Sequence, residues 1–434
     1  MTLKTEHLLQ TQLDSCTKGV PGGTAPFEMG AIGQKNWNVL KGDLPLPLAV
    51  LRHSALEHNQ SWFQKLMDSQ GALFAPHGKT HMSPQLYQRQ EQAGAWGVTV
   101  ATVSQVQVYR EHGAKRIILA NELVGPCEID YILKELNRDA DFDFYCLVDS
   151  REGVEMLEAR AAEMGLKRPL QVLLELGIPG QRCGVRDTAQ ARELALFIAQ
   201  KAPHLSLRGV EAFEGLIMPP SVAEAVRETR EFLAGLVQLA EALESKDLFA
   251  PGPILLSAGG TAYYDLVLEQ LSQSTLGEKA SVVVRSGCYL FHDSQFYRNL
   301  YHRILERSGD RLGLDSGPQS ALEVWASVLS RPEPTRAVLG LGKRDISFDL
   351  NLPIPEKWFR LGTHQIPQSV EGTLTITGLN DQHAMVTLPA DHPLKVGDLV
   401  SCGISHPCTT LDKWQILMVV DDNYLVTEAI RSFF

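Results

Sequence analysis

Lys79 lies in the stretch Pro76-His77-Gly78-Lys79-Thr80-His81, directly after the apolar run Ala72-Leu73-Phe74-Ala75. That run reads as a buried strand that stops at Pro76, which puts the lysine at a strand's carboxyl end. A lysine amine whose pKa is lowered there is the group that condenses with a carbonyl cofactor. Gly180-Gln181-Arg182-Cys183-Gly184 sets an arginine between glycines, where the backbone can turn and bring a fixed cation to a ligand. Glu211-Ala212-Phe213-Glu214-Gly215 ends another strand-like run. Ser257-Ala258-Gly259-Gly260-Thr261 ends a further one and is read as opening a helix, so its N–H groups and a hydroxyl suit a phosphate. His406 and Cys408, two apart on a chain read as extended, point to one side, and imidazole with thiolate makes a zinc pair. Two nearby protein ligands leave positions open for water or substrate, which suits a catalytic ion better than a structural one, with a further ligand from elsewhere in the chain left open. Each cluster also has a plainer reading: a solvated lysine, a surface turn, a strand-to-helix turn of small residues, a half-buried cysteine beside a surface histidine.

The elements that would position these groups alternate. Strand-like runs at 72–75, 97–101, 116–120, 142–148, 170–176, 207–213, 254–257 and 281–285 are separated by stretches with helical periodicity, such as 150–164 and 223–243. Ser54 is a plausible N-cap, with Glu57 three residues on, for a helix that precedes the first strand. About eight parallel strands covered by helices predict an α/β fold, a TIM-like (β/α)8 barrel, with an open doubly wound sheet as the competing architecture. Every cluster before residue 311 then falls at the carboxyl face. Beyond 311 short β-rich runs separated by Gly, Pro, Asn and Asp predict an all-β C-terminal domain that carries His406 and Cys408. The expected organisation is a leader over 1–44 that packs with the β domain, a barrel over 45–310, and the β domain over 311–434.

Composition narrows the partners. A chain of 434 residues with a net charge of -11 has the length for two domains and no basic surface for nucleic acid or an anionic membrane. No apolar stretch approaches the ~20 residues that span a bilayer, and residues 1–10 lack a signal core. Seven scattered cysteines fit a reducing compartment. A soluble cytoplasmic protein acting on a small molecule is expected.

Taken together, the clusters at Lys79, Arg182, Ser257 to Thr261, Arg285-Ser286-Gly287-Cys288-Tyr289 and His406-Pro407-Cys408 resemble the motif series of the D-serine dehydratase and D-threonine aldolase group. That group belongs to the alanine-racemase-like, fold-type III pyridoxal-phosphate enzymes, and the likeness runs from about Pro45 to Trp414. It implies a homodimer, pyridoxal 5'-phosphate covalently held by Lys79, its phosphate at Gly259, Gly260 and Thr261, and its ring against Arg182. His77 and Ser257 are counted with the same cofactor-binding residues. The aldolases of the group carry His-x-Asp with a harder ion such as manganese, whereas His406 and Cys408 match the His-x-Cys of the zinc-dependent dehydratases, and thiolate softness agrees. The implied reaction is dehydration and deamination of D-serine to pyruvate and ammonia. The alternatives are D-threonine cleavage to glycine and acetaldehyde, D-threo-3-hydroxyaspartate dehydration, and a non-catalytic cofactor carrier. One departure stands out: the group commonly has tyrosine where Phe213 stands, so a hydroxyl contact near the cofactor is either missing or supplied by Tyr263, Tyr264 or Tyr289.

Overall fold

The computed structural model describes residues 3–313 and 316–434. Eight strands, Leu73–Phe74, Val98–Val100, Arg116–Glu122, Asp143–Val148, Leu170–Leu176, Leu205–Ala212, Ile254–Ala258 and Ala280–Val284, form one sheet in which every pairing is parallel. Its two ends meet. His77 bridges Thr99 in parallel, and the amides of Trp96 and Thr99 donate to the carbonyls of Phe74 and Pro76 at 2.7 and 2.9 Å. The sheet is therefore a closed barrel and not the open doubly wound alternative.

The near-continuous apolar strands explain this architecture. Leu170, Val172, Leu173 and Leu174 are all buried, because one side of the strand faces the barrel interior and the other the helical ring. Gly209 shows how tightly the strands sit, since a Cβ there would lie 2.0 Å from the carbonyl oxygen of Leu255. The first helix, His53–Ser69, starts one residue before the expected cap Ser54. It packs Phe63 against Phe74 and Tyr289, at ring-centroid distances of 4.9 and 4.6 Å.

The second sheet is ten-stranded, and its pairings are antiparallel apart from one. Leu322–Glu333 is central and pairs with Leu399–Gly403, Arg336–Leu339 and Leu48–Arg52. Leu48–Arg52, grouped with the barrel on sequence, therefore lies in the β sheet, where it also runs parallel to Ile416–Val420. An apolar run bounded by prolines says that a strand forms, and not which sheet it joins. The leader is hydrogen-bonded to the last hairpin through Val39 N to Tyr424 O at 3.1 Å and Asn38 Nδ2 to Asn423 O at 2.8 Å. It also reaches a barrel helix, through Lys4 N to His112 O at 2.8 Å. Among the described residues no helix is long and apolar enough to cross a membrane.

Candidate active site

The carboxyl ends of the barrel strands open into a cavity of about 320 Å³ that is lined by His77, Lys79, Arg182, Gly259, Gly260, Thr261, His406 and Cys408. The carboxyl ends of all eight barrel strands, with the segments just after them, and one segment of the β domain thus converge on one space. Lys79 sits on a single tight turn, Gly78–Thr80, directly after the first strand. Tyr109 fixes this turn by donating its hydroxyl to Gly78 O at 2.9 Å, and a Cβ on Gly78 would lie 2.5 Å from that hydroxyl. Gly287 packs on the other side, where a Cβ would meet Thr80 Oγ1 at 2.4 Å and His77 O at 2.7 Å. The Lys79 side chain is open to the cavity, yet protein surrounds its amine. Burial lowers its pKa, and the cations Arg182 and Arg285 lower it further against the opposing cysteines Cys408 and Cys288. An amine so placed is a better nucleophile and base near neutrality than a surface lysine.

The cavity floor is an ionic layer. Arg285 is buried and pairs with Glu211, and it also donates to Ala212 O at 2.9 Å. His77 is held well below the usual imidazole range by burial and by the neighbouring cations Lys79 and Arg285, so the ring is neutral. Three buried polar atoms of this floor, His77 Nδ1, Arg285 Nε and Glu211 Oε2, have no protein partner. Unpaired donors and acceptors on one cavity wall are costly unless a bound group satisfies them, and a pyridine ring with ring substituents has the polarity to do so. The cavity therefore fits the cofactor implied by the sequence.

Glu122, Glu175 and Cys183 bring three donor atoms within 4.8 Å of one another at the same cavity. Burial and the nearby Glu211 push the Glu175 carboxyl up to about 10, so it is neutral and the cluster is a poor cation cage. This has a stability signature. Between the ordinary carboxyl range and about 10, the folded chain holds a proton that the unfolded chain has released, so stability falls as pH rises through that window. Glu175→Gln abolishes the term. Its melting temperature relative to the natural chain is expected to rise from about pH 5 to about pH 9; an equal difference at both ends would show Glu175 ionised in the fold.

The expected phosphate loop is only partly available. The amides of Gly259 and Gly260 both donate at 3.0 Å to the carboxylate of buried Glu214. Glu214 lies on a short turn, Glu214–Leu216, after the strand Leu205–Ala212. It shapes the loop and occupies the two donors that the sequence assigned to a phosphate. The helix Tyr264–Leu271 starts three residues after Thr261, so Gly259 and Gly260 are not at a helix N-terminus. Thr261, whose hydroxyl meets no partner among the described residues, is left to face an anion. Ser257 does not reach the cavity: it is fully buried in its strand and donates its hydroxyl to Val283 O at 3.2 Å.

Arg182 stacks its guanidinium on Phe213 at 4.5 Å, which places both side chains on the cavity wall. A hydroxyl in place of the missing tyrosine comes from none of the three candidates. Tyr263 donates to Ile217 O at 2.9 Å, Tyr264 is buried, and Tyr289 is buried and accepts from Gln90 Nε2 at 2.9 Å. The tyrosine that lines the cavity is Tyr297, which sequence reading missed because it follows no barrel strand.

His406 and Cys408 stand on the rim contributed by the β domain. They are not on an extended strand. Pro407 starts a helical turn, Pro407–Leu411, for which His406 is the extended N-cap. Both side chains nevertheless reach the cavity. Cys408 Sγ is 3.5 Å from Oγ1 of Thr80, the neighbour of Lys79, and 3.6 Å from Cys288 Sγ. Asp349, not singled out in the sequence, holds His406 Nδ1 at 2.6 Å and leaves Nε2 for a metal. The hydrogen bond from Cys288 and the nearby imidazole hold the Cys408 thiol well below its usual range against burial. Burial acts against charge on His406, but the sulfur and Asp349 outweigh it and raise the imidazole to about 9. A thiolate and an imidazole tied to a carboxylate are the donor set that a soft divalent ion displaces protons from.

A family model described as the alanine racemase N-terminal domain matches residues 51–293, more than half of the chain. The chain belongs to the alanine racemase family. A second model, described as a putative serine dehydratase domain, matches residues 321–420, the part of the β domain that includes His406 and Cys408. Relatives span the same architecture. The 3-hydroxy-D-aspartate aldolase of Paracoccus denitrificans (strain Pd 1222) is 26% identical over 366 residues, covering 82% of this chain and 88% of the relative. The D-threonine aldolase of Arthrobacter sp is 25% identical over 389 residues, covering 87% and 89%. The D-threo-3-hydroxyaspartate dehydratase of Delftia sp. (strain HT23) is 27% identical over 346 residues, covering 79% and 83%. The solved structure of that dehydratase matches with a TM-score of 0.71 at 22% identity, over 91% of this chain and 99% of the solved one. It has also been solved with a histidine changed to alanine, and with the cysteine two positions later changed to alanine in a metal-free form.

Proposed function

We propose that this protein is a pyridoxal-phosphate- and zinc-dependent lyase of D-3-hydroxy amino acids, and that it eliminates water from D-threo-3-hydroxyaspartate to give oxaloacetate and ammonia. The observation that carries this reading is the convergence of Lys79 with His406 and Cys408 on one cavity, with Thr80 in contact with the sulfur. One substrate then meets a base at its α-carbon and a Lewis-acid site at its β-hydroxyl. D-serine, the substrate expected from sequence, undergoes the same elimination to pyruvate and lacks only the second carboxylate. The names of the relatives favour the larger substrates, and Arg182 is a cation on the cavity wall that suits the extra carboxylate.

Lys79 Nζ would anchor the cofactor aldehyde and is placed to accept the α-proton of a bound substrate; burial lowers its pKa, which favours the free base. Arg285, held by Glu211, and neutral His77 present the atoms that orient the ring. Bound pyridoxal phosphate supplies the electron sink for the α-carbanion. His406 and Cys408 hold the metal whose Lewis acidity offsets the poor leaving ability of hydroxide, an effect worth several kcal/mol. Asp349 keeps the imidazole in the tautomer that ligates. Asp349→Asn is therefore expected to weaken zinc affinity by about 10- to 100-fold with little change in cofactor binding; titration against a chromophoric chelator measures it, and an unchanged affinity would remove Asp349 from this role.

A second reading, retro-aldol cleavage to glycine and an aldehyde, is supported by the two aldolase relatives. Products separate the two. D-threo-3-hydroxyaspartate, D-serine, D-threonine and their L-forms are incubated with the holoenzyme, with and without chelator. Keto acid and ammonia that vanish on chelation support the dehydratase; glycine with glyoxylate or acetaldehyde replaces it by the aldolase; no turnover of any D-substrate rejects the class, leaving a cofactor carrier. The homodimer implied by the resemblance belongs to the same proposal. Exposed Phe348 and Leu350 flank Asp349 at the rim, and light scattering at twice the 47.9 kDa chain mass is the expected result.

A further inference from the structure

A catalytic zinc site keeps three protein ligands and one open position, whereas the His-x-Cys pair supplies only two. We propose that Cys288 is the third ligand, so that His406, Cys408 and Cys288 form a Cys2His site whose single open position takes the β-hydroxyl of the substrate. This rests on the reading of His406 and Cys408 as the metal pair.

The two sulfurs are already spaced for it. Thiolates bound at about 2.3 Å to one tetrahedral ion lie roughly 3.8 Å apart. Cys288 Sγ and Cys408 Sγ are 3.6 Å apart, far outside a disulfide bond of about 2.05 Å. Cys288 is also prearranged. It is 5% exposed, lines the cavity, and begins the turn Cys288–Leu290 directly after Gly287, which is wedged against Thr80 and His77. The last barrel strand and the β-domain helix therefore deliver their sulfurs to one point from opposite sides. Tyr297 is hydrogen-bonded to Cys288, which steadies the sulfur from the remaining side.

Among the described residues the three donor atoms do not all fall within 4.8 Å of one another, and since the sulfurs are in contact the long edge runs to the imidazole. The imidazole is hydrogen-bonded to Cys408, so the long edge runs from His406 to Cys288, and an ion held by all three would bring these two side chains closer together. Asp349 is itself held by the Thr409 hydroxyl at 2.7 Å, so the imidazole and its carboxylate form one unit with the helical turn that carries Cys408. Binding of the ion releases the thiol proton of Cys288 to solvent. Two thiolates balance the dication, which leaves a neutral centre. The departing hydroxide then meets one defined coordination position and not a choice of two.

Zinc-edge X-ray absorption of the zinc-loaded holoenzyme tests the proposal directly. Two sulfur scatterers at about 2.3 Å per zinc are expected. A single sulfur with the remaining ligands nitrogen or oxygen would overturn the role of Cys288 and leave the His406 and Cys408 pair intact. A protein that retains no zinc would overturn both. In the cobalt-substituted enzyme the thiolate-to-metal charge-transfer band is expected to fall to about half in Cys288→Ser, with zinc affinity down at least tenfold. An unchanged band and affinity would refute the assignment, and if this variant does not fold, the absorption spectrum of the natural enzyme decides alone.

Discussion

Replacing Lys79 with alanine is expected to remove both the visible absorbance of a lysine-linked pyridoxal group and all measurable turnover, a loss of at least about 10³-fold. Among the described residues no other lysine lines the cavity, so the variant lacks the amine placed there to anchor the cofactor and take up the α-proton. The fold should survive. The side chain is open to the cavity, and the turn that carries it is held by Tyr109 and by backbone packing on Gly287. Lys79→Arg is the informative companion. It keeps a cation in place but offers no free amine at working pH, so it should fail equally. Circular dichroism that matches the natural chain, with absorbance and activity lost together, is the expected result. A retained absorbance band would take Lys79 out of the site.

Loss of either metal ligand should separate cofactor binding from chemistry. His406→Ala and Cys408→Ala are expected to keep the lysine-linked absorbance, because neither residue supplies the amine that would anchor the cofactor, yet to lower elimination by about 10³- to 10⁴-fold. Several kcal/mol of Lewis acidity convert to that range. Metal analysis should show Cys408→Ala empty at zinc concentrations that saturate the natural enzyme, while α-proton exchange with solvent deuterium continues in both variants. That exchange reports Lys79 alone. If chelated natural enzyme or either variant kept full elimination activity, the metal would have no part in the reaction.

The number, spacing and apolar character of the strands were legible in the sequence, because each barrel strand is buried on both faces and must read as an uninterrupted apolar run. Lys79, Arg182 and Thr261 line one cavity for a related reason: they stand in the segments that follow such runs, and the carboxyl ends of parallel strands share one face of the molecule. The His406 and Cys408 spacing was equally plain, although the local structure that achieves it is a proline-started helical turn and not an extended chain.

What lies across the chain could not be read in this way. Asp349 meets His406 from 57 residues away, and Cys288 meets Cys408 from 120. Glu214 takes the amides of Gly259 and Gly260 from across the neighbouring strand, which turns an apparent phosphate cradle into a loop already held by a carboxylate. Ser257 shows the converse. Its motif suggested a ligand contact, but the period of two along a strand aims its side chain at Val283. Likewise, Leu48–Arg52 is unmistakably a strand, and only hydrogen bonding to Leu322–Glu333 assigns it to the β sheet. Local sequence determined which elements form and which reactive groups stand at their ends, since propensity and burial act over a few residues. Which groups face one another was decided by closure of the barrel and docking of the β domain, because those contacts join segments whose separation along the chain leaves no local pattern.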